Sequence, residues 1–363
     1  MVDFGKCGGG SMIYVLSSKK APVAYAVVNV TYPASYTVTA TDGTTTLNNE
    51  NTTKNGKWVC VVPNAGEWTF SIAGGDSKTV TISEEQQVEK ISLSFISRIL
   101  NDNSWAAIAS VDSEGANYWS IGDCKAVTVS GTVGTLSVND TYYVYIIGFN
   151  HNGATGIDFG TFKTALSGGT DICLIDGKYD SDSTNGTKYF NMNHSSSTNS
   201  GGWNGCDLRY DVLGSTNTND GNATTTTATS PVPGTLMAAL PSELRAVMKP
   251  MTIYTDNTGG PFSIASYVTA TVDYLPLLAE FEIFGSQSYA RSAEQNYQAQ
   301  YAYYSAGNSK IKYKHSSTTS AAYWWERSPS FSTNGSFCYV GTKGKALDYE
   351  AKVAHGLAPI FRV

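Results

Sequence analysis

Between Met12 and Phe95 the apolar residues fall in short runs separated by turn signals. Tyr36-Thr37-Val38-Thr39-Ala40 alternates apolar and polar and runs into Asp42-Gly43, a tight-turn dipeptide. Lys57–Pro63 is a second run, and Asn64-Ala65-Gly66 turns it into Glu67–Ile72. Gly74-Gly75-Asp76 leads into Lys78–Ile82, and Glu89–Phe95 shows period-two alternation. With Met12–Leu16 and Tyr25–Thr31 these make seven short strands. Turns at roughly 8–12-residue spacing predict a β-sandwich over residues 12–95. Residues 1–11, with Gly8, Gly9 and Gly10, read as a flexible arm, because glycines carry nothing to pack and lose much entropy on ordering.

The pattern changes near residue 100. Residues 96–103 read as a linker, and 104–363 as a mixed α+β domain. Ser104 is placed to cap a helix beginning at Trp105. Thr141–Phe149 is the most apolar strand and ends at Asn150-His151-Asn152-Gly153. Residues 176–202 and 214–234 are polar loop material around an ordered island, Trp203–Leu213. Leu236–Met248 is the best helix, with Leu240, Leu244 and Val247 on one face. Near the C-terminus, Tyr323-Trp324-Trp325-Glu326-Arg327-Ser328-Pro329 concentrates the large aromatics. Neighbours on an extended strand point to opposite faces, so Trp324 and Trp325 anchor two packing layers. Trp105, Trp119, Trp324, Trp325 and Arg327 are the expected core markers, with Arg327 stacked on a ring or paired with a buried carboxylate such as Asp123.

Composition sharpens the mainly β reading. Only 15% of the 363 residues are charged, and Tyr, with 23 copies, is the dominant aromatic. Net charge is −6, without the basic footprint of a nucleic-acid partner. No apolar stretch reaches 18 residues, so no membrane insertion is expected. The first residues lack the apolar segment of a signal peptide, which implies synthesis in the cytoplasm. Cys7, Cys60, Cys124, Cys173, Cys206 and Cys338 lie far apart with no CxxC pair, and read as buried thiols.

Candidate chemistry is sparse. His151, His194, His315 and His355 form no zinc-binding spacing, and no GxSxG is present. His151 reads as a satisfied strand-end histidine and His194 as solvated. Asp273 with Glu280 or Glu282 is the acid pair considered for glycoside cleavage, but its apolar surroundings favour a structural role. Asp180, Asp182 and Asn185 precede Gly186 as hard oxygen donors. Their spacing misses a calcium loop by one residue and no glutamate closes it, so a solvated turn is expected instead of a metal site. No catalytic residue and no cofactor is expected. Tyr297, Tyr301, Tyr303 and Tyr304, with Trp203, are the candidate ligand-binding aromatics, since rings stack on the C–H faces of sugars.

Two resemblances rest on residues quoted in order. Val30-Thr31-Tyr32-Pro33-Ala34, Trp58–Pro63, Ala65-Gly66-Glu67-Trp68-Thr69 and Val88–Leu93 resemble the immunoglobulin-like modules of bacteriophage tail and virion proteins. From Trp105 onward, Trp105–Ala109, Tyr118–Asp123, Ile147–His151, Met192-Asn193, Gly201-Gly202-Trp203, Leu240-Pro241, Glu282–Gly285, Trp324–Pro329 and Pro359-Ile360-Phe361 resemble an uncharacterised domain of phages and of Gram-positive gut bacteria. That pattern has Leu where this chain has Glu326. Its closing motifs resemble the ends of C-type-lectin-like folds. The resemblance implies a domain with no established activity; beside the missing catalytic motifs, the chain reads as a non-enzymatic virion protein, a homo-oligomer or multicopy on the particle, that contacts other virion proteins through its N-terminal region. A tail or fibre-tip adhesin for host surface glycans is its first form. A head or tail decoration protein is the alternative, and a cell-wall or capsule hydrolase the third.

Overall fold

The computed structural model describes residues 25–73, 75–176, 190–194, 196–214, 228–261 and 264–363. The expectations for the arm at 1–11, the strand Met12–Leu16, Cys7, and Asp180, Asp182 and Asn185 lie outside the described residues. The chain divides into two compact units, Met1–Ile96 and Ser97–Val363. The architecture is mainly β, in several small sheets with short helices only.

The first unit holds β1 (Ala26–Thr31), β2 (Val38–Thr41), β3 (Thr46–Asn48), β4 (Lys57–Val62), β5 (Gly66–Ile72), β6 (Ser77–Ile82) and β7 (Val88–Ser92). They form two sheets, ordered β4-β1-β7 and β3-β2-β5-β6. Alternation decides the inner faces: Val28 and Val30, Trp58 and Cys60, and Trp68 and Phe70 share one core with Val38 and Ala40 of β2, the neighbour of β5. Asn49 is buried and fixes the turn into β2, accepting from the Val38 amide and donating to the Tyr36 carbonyl. On the outer face, Val27 pairs with Val61 on one side and Val88 on the other, a row of valines that leaves Val61 and Val88 exposed.

The second unit contains β8 (Cys124–Val133), β9 (Leu136–Phe149), β10 (Ile157–Lys163), β11 (Ile172–Cys173), β12 (Met251–Asp256), β13 (Val268–Asp273), β14 (Lys312–Lys314), β15 (Ser317–Ala322), β16 (Trp324–Pro329), β17 (Ser336–Val340), β18 (Ala346–Glu350) and β19 (Ile360–Arg362). The sheets are β19-β10-β9-β8, β11-β14-β15, β12-β13 and β16-β17-β18. Ser104 caps the helix Trp105–Ala109 through its hydroxyl, 3.1 Å from the Ala107 amide. The expected helix over Leu236–Met248 is instead two single turns, Leu236–Ala239 and Ser242–Arg245. Leu240 is extended between them (φ −74°, ψ 148°), because Pro241 pushes the residue before it out of the helical region.

Trp105 packs edge-on against Phe159 and Phe361, and the Trp119 indole donates to the Ser97 carbonyl. Four buried arginines are paired with carboxylates, which offsets the cost of desolvation. Arg362 holds Asp158 through two nitrogens at 2.5 and 2.7 Å, and the Tyr301 hydroxyl donates to the same carboxylate. Arg209 holds Asp273, and Arg291 pairs with Asp256. Arg327 pairs with Glu282 and not with Asp123, which accepts from the nearby Ser120 amide. Five cysteines are free and buried, and burial pushes the Cys60 and Cys173 thiols up to about 12.

Candidate functional site

The sheet β16-β17-β18 carries an aromatic face. Trp325 pairs directly with Tyr339, and Tyr349 sits diagonally across from Tyr339 because Phe337 is its direct partner and Leu347 that of Tyr339. All three side chains therefore emerge on one side. Trp325 is buried and its indole donates to the Phe190 carbonyl, 2.9 Å away. His355 reaches the same face from the segment before β19. Its ring lies 4.3 Å from Trp325, 4.7 Å from Tyr339, 5.3 Å from Tyr323 and 5.9 Å from Tyr349.

Gly356 makes this approach possible. Its backbone bridges Trp324, and a Cβ added there would stand 2.2 Å from the Cys173 Sγ. The Trp325 amide donates to the Gly356 carbonyl, and the Gly356 amide to the Tyr323 carbonyl. His355 is thus pinned by backbone bonds on both sides of its neighbour. Its Nδ1 faces the Ala354 carbonyl at 2.8 Å, which fixes the proton on Nδ1. Burial pulls its pKa down to about 4, so the ring is neutral at physiological pH.

Tyr323, Tyr339, Tyr349 and His355 line an open groove of about 460 Å³, within the roughly 300–1,000 Å³ of small-ligand sites. Tyr339 and His355, nearly buried, form its floor. Tyr323 and Tyr349, 45% and 43% exposed, stand at 90° and 85° to the Tyr339 ring as its walls. Asp176, Lys314, Ser320 and Thr342 supply polar groups among the lining residues. Ile175 is held at the groove by its amide donating to His315 Nδ1 at 3.1 Å. Burial raises the Tyr339 phenol to about 12, so it remains a neutral hydrogen-bonding group.

The aromatics singled out from sequence lie elsewhere. Tyr301, Tyr303, Tyr304 and Trp203 are buried. Tyr301 stacks on His151 at 3.6 Å, Tyr303 donates to Asp171, and the Trp203 indole donates to Asp273. Tyr297 is exposed and stacks on Tyr254 at 4.7 Å. Trp105, Trp119, Trp324, Trp325 and Arg327 are all buried. His194, expected in solvent, is buried, with its ring against Asn191 and Asp211 and its amide donating to Asp207. The acid pair is not an open site either. Asp273 is held by Arg209, Glu280 accepts from the amides of Ser288, Tyr289 and Ala290, and Glu282 is held by Arg327. Among the described residues no cluster of His, Cys, Asp and Glu could hold a metal ion.

The groove residues escape a local reading because they come from β14, β15, β17, β18 and from segments beside β11, β16 and β19, far apart in the chain. Their one sequence signal is a tyrosine at matching parity in Phe337–Val340 and Leu347–Glu350, which becomes legible only with the strand register. Residues 185–363 match the model of a family described as a domain of unknown function (DUF6273). Tyr323, Tyr339, Tyr349 and His355 lie within that stretch, while Ile175 and Asp176 precede it. No curated protein and no solved structure matches the chain.

Proposed function

We propose that this is a non-enzymatic recognition protein that holds a sugar unit between Tyr323 and Tyr349. The observation that carries the reading is the pair of half-exposed tyrosines standing at right angles to the buried Tyr339 ring. The C–H bonds of a pyranose present a weakly positive, apolar face to the negative face of an aromatic ring. Its hydroxyls then meet the polar groups of Asp176, Lys314, Ser320 and Thr342. Tyrosines offer large contact area at low entropy cost, which suits recognition. One carboxylate, Asp176, stands among the described lining residues, half of the acid pair that glycoside cleavage uses. Display in many copies on a bacteriophage particle rests on the sequence resemblance, and multivalency would raise a weak single-site affinity.

The test is titration calorimetry of the intact protein with cell-wall and capsular oligosaccharides, alongside an assay for new reducing ends. Saturable binding without cleavage is expected. Cleavage that is lost on Asp176→Asn would replace this reading by the hydrolase, and absence of binding to all fragments would remove it. The decoration reading is favoured by one separate observation, the exposed Val61-Val27-Val88 row of the first unit. It expects Val61→Lys with Val88→Lys to reduce incorporation into particles while leaving the unit folded.

A further inference from the structure

The opposite side of β16 from the groove carries an unusual group. Glu326 is fully buried, and neither carboxyl oxygen has a hydrogen-bond partner among the described residues. It does not lie in a regular ladder. Trp325 pairs with Tyr339 and Pro329 with Phe337, so three residues, Glu326, Arg327 and Ser328, stand opposite Cys338 alone. This bulge follows directly on Trp325, whose indole forms part of the aromatic layer under the groove.

Three of the six titratable groups facing Glu326 are carboxyls and one is a cation. Glu280 and Glu282 come from the helix Glu280–Phe284, Glu294 from the turn Ser292–Asn296, Arg327 from β16 itself, Cys338 from β17, and Tyr304 from the helix Ala302–Ser305. Three of the four carboxyls are satisfied. Glu280 takes backbone amides, Glu282 takes both Arg327 nitrogens, and Glu294 takes the Asp256 amide and the Ser328 hydroxyl. Glu326 has neither the arginine nor an amide. An isolated carboxylate in such a place is far costlier than a neutral carboxyl.

We propose that Glu326 is a proton-held latch: the bulge of β16, and with it the aromatic floor of the groove, keeps its packing only while this side chain stays protonated. The latch concerns the fold of the floor, and its effect on ligand rests on the sugar-binding reading above.

The sign follows from linkage. A carboxyl that binds its proton more tightly when folded stabilises the fold fully below its unfolded pKa, 4.5, and loses that contribution as pH rises. Burial raises both Glu326 and Glu294, the latter to about 7. Below 6.5 the half-buried His151 and His315 and the buried His355, all lowered by desolvation, oppose the trend, since unfolding lets them take up protons. As pH nears 9.0, the ordinary thiol value, the raised thiols contribute in the same sense as Glu326, and near pH 7 so does Glu294. The difference in slope between the parent and chains lacking the Glu326 carboxyl therefore isolates Glu326.

The experiment compares the full chain with Glu326→Leu and Glu326→Gln between pH 7 and pH 8.5. Tryptophan fluorescence follows denaturant unfolding, near-ultraviolet circular dichroism follows the packing of the groove rings, and calorimetry follows sugar binding. The unfolding constant of the second unit should rise with pH more steeply in the parent than in either variant, by up to about tenfold per pH unit for the one extra proton. Both variants should lack that extra rise, and their circular dichroism should not change with pH. A parent whose slope equals that of the variants would overturn the latch. Circular dichroism or sugar affinity that stays constant in the parent while its stability falls would overturn the link to the floor. Absence of sugar binding at every pH would sink the recognition reading alone, because the first two measurements need no ligand.

Discussion

Arg327 and Glu282 meet as a two-pronged pair, with both guanidinium nitrogens 2.6 Å from separate carboxylate oxygens. The same arginine donates to the Leu277 carbonyl and to the Thr255 hydroxyl. Glu282 in turn accepts from the Ala279 amide. One buried pair thus ties β16, β12 and the start of the helix Glu280–Phe284. Arg327→Met should destabilise the second unit by about 3–5 kcal/mol, because it strands a buried carboxylate. Adding Glu282→Leu should restore a large part of the loss. Denaturant unfolding of the single and double variants measures both, and additive losses would show that the two residues do not act as a pair.

Trp324→Ala should cost about 3–5 kcal/mol, as other large core truncations do. The indole is fully buried, donates to the Lys310 carbonyl and lies under the Lys312 ammonium. Thermal unfolding checks this. A variant that melts with the parent and loses only sugar binding would make Trp324 a ligand contact.

Gly356→Ala should cost about 1–3 kcal/mol through overpacking, since the new methyl meets Cys173 and the Tyr323 carbonyl. It should also displace His355 and weaken sugar binding. Cys173→Gly in the same chain should recover part of the stability. No recovery would mean that the strain comes from another contact.

Tyr349→Ala and Tyr323→Ala should each lower sugar affinity about tenfold or more, of the order of one well-packed aromatic contact. Both rings are nearly half exposed, so melting temperature should hardly move. Tyr297→Ala, distant from the groove lining, is the control. Loss of affinity in the control in place of the wall variants would relocate the site to the Tyr254–Tyr297 stack.

The contrast between the two units shows what a linear reading can reach. In the first unit, β5 is legible because Trp68, Phe70 and Ile72 alternate with Thr69 and Ser71, and alternation alone orients a strand, whereas β4 interposes the apolar Val59 and Val61, so its inner face shows only in the burial pattern. β3 has only one apolar residue, Leu47, and is held by its pairing with β2. In the second unit, β16 is buried at every position and carries no alternation. The tyrosine run from Tyr297 to Tyr304 could be read as surface because nothing local marks Asp158 and Asp171 as the partners of Tyr301 and Tyr303. The helix from Leu236 was overextended for a local reason, Pro241, that sat in plain view. The groove needed the long-range register of β16 to β18.

The five described cysteines have a practical consequence. Each is buried as a free thiol, and desolvation raises the pKa of every one. Only the thiolate attacks disulfides, peroxides or alkylating reagents with useful speed. At neutral pH these side chains therefore behave as small hydrocarbons, silent toward glutathione and dissolved oxygen alike. Across the described residues the covalent structure is therefore the same in reducing and oxidising media, and the stability of that part of the chain rests on packing and ion pairs.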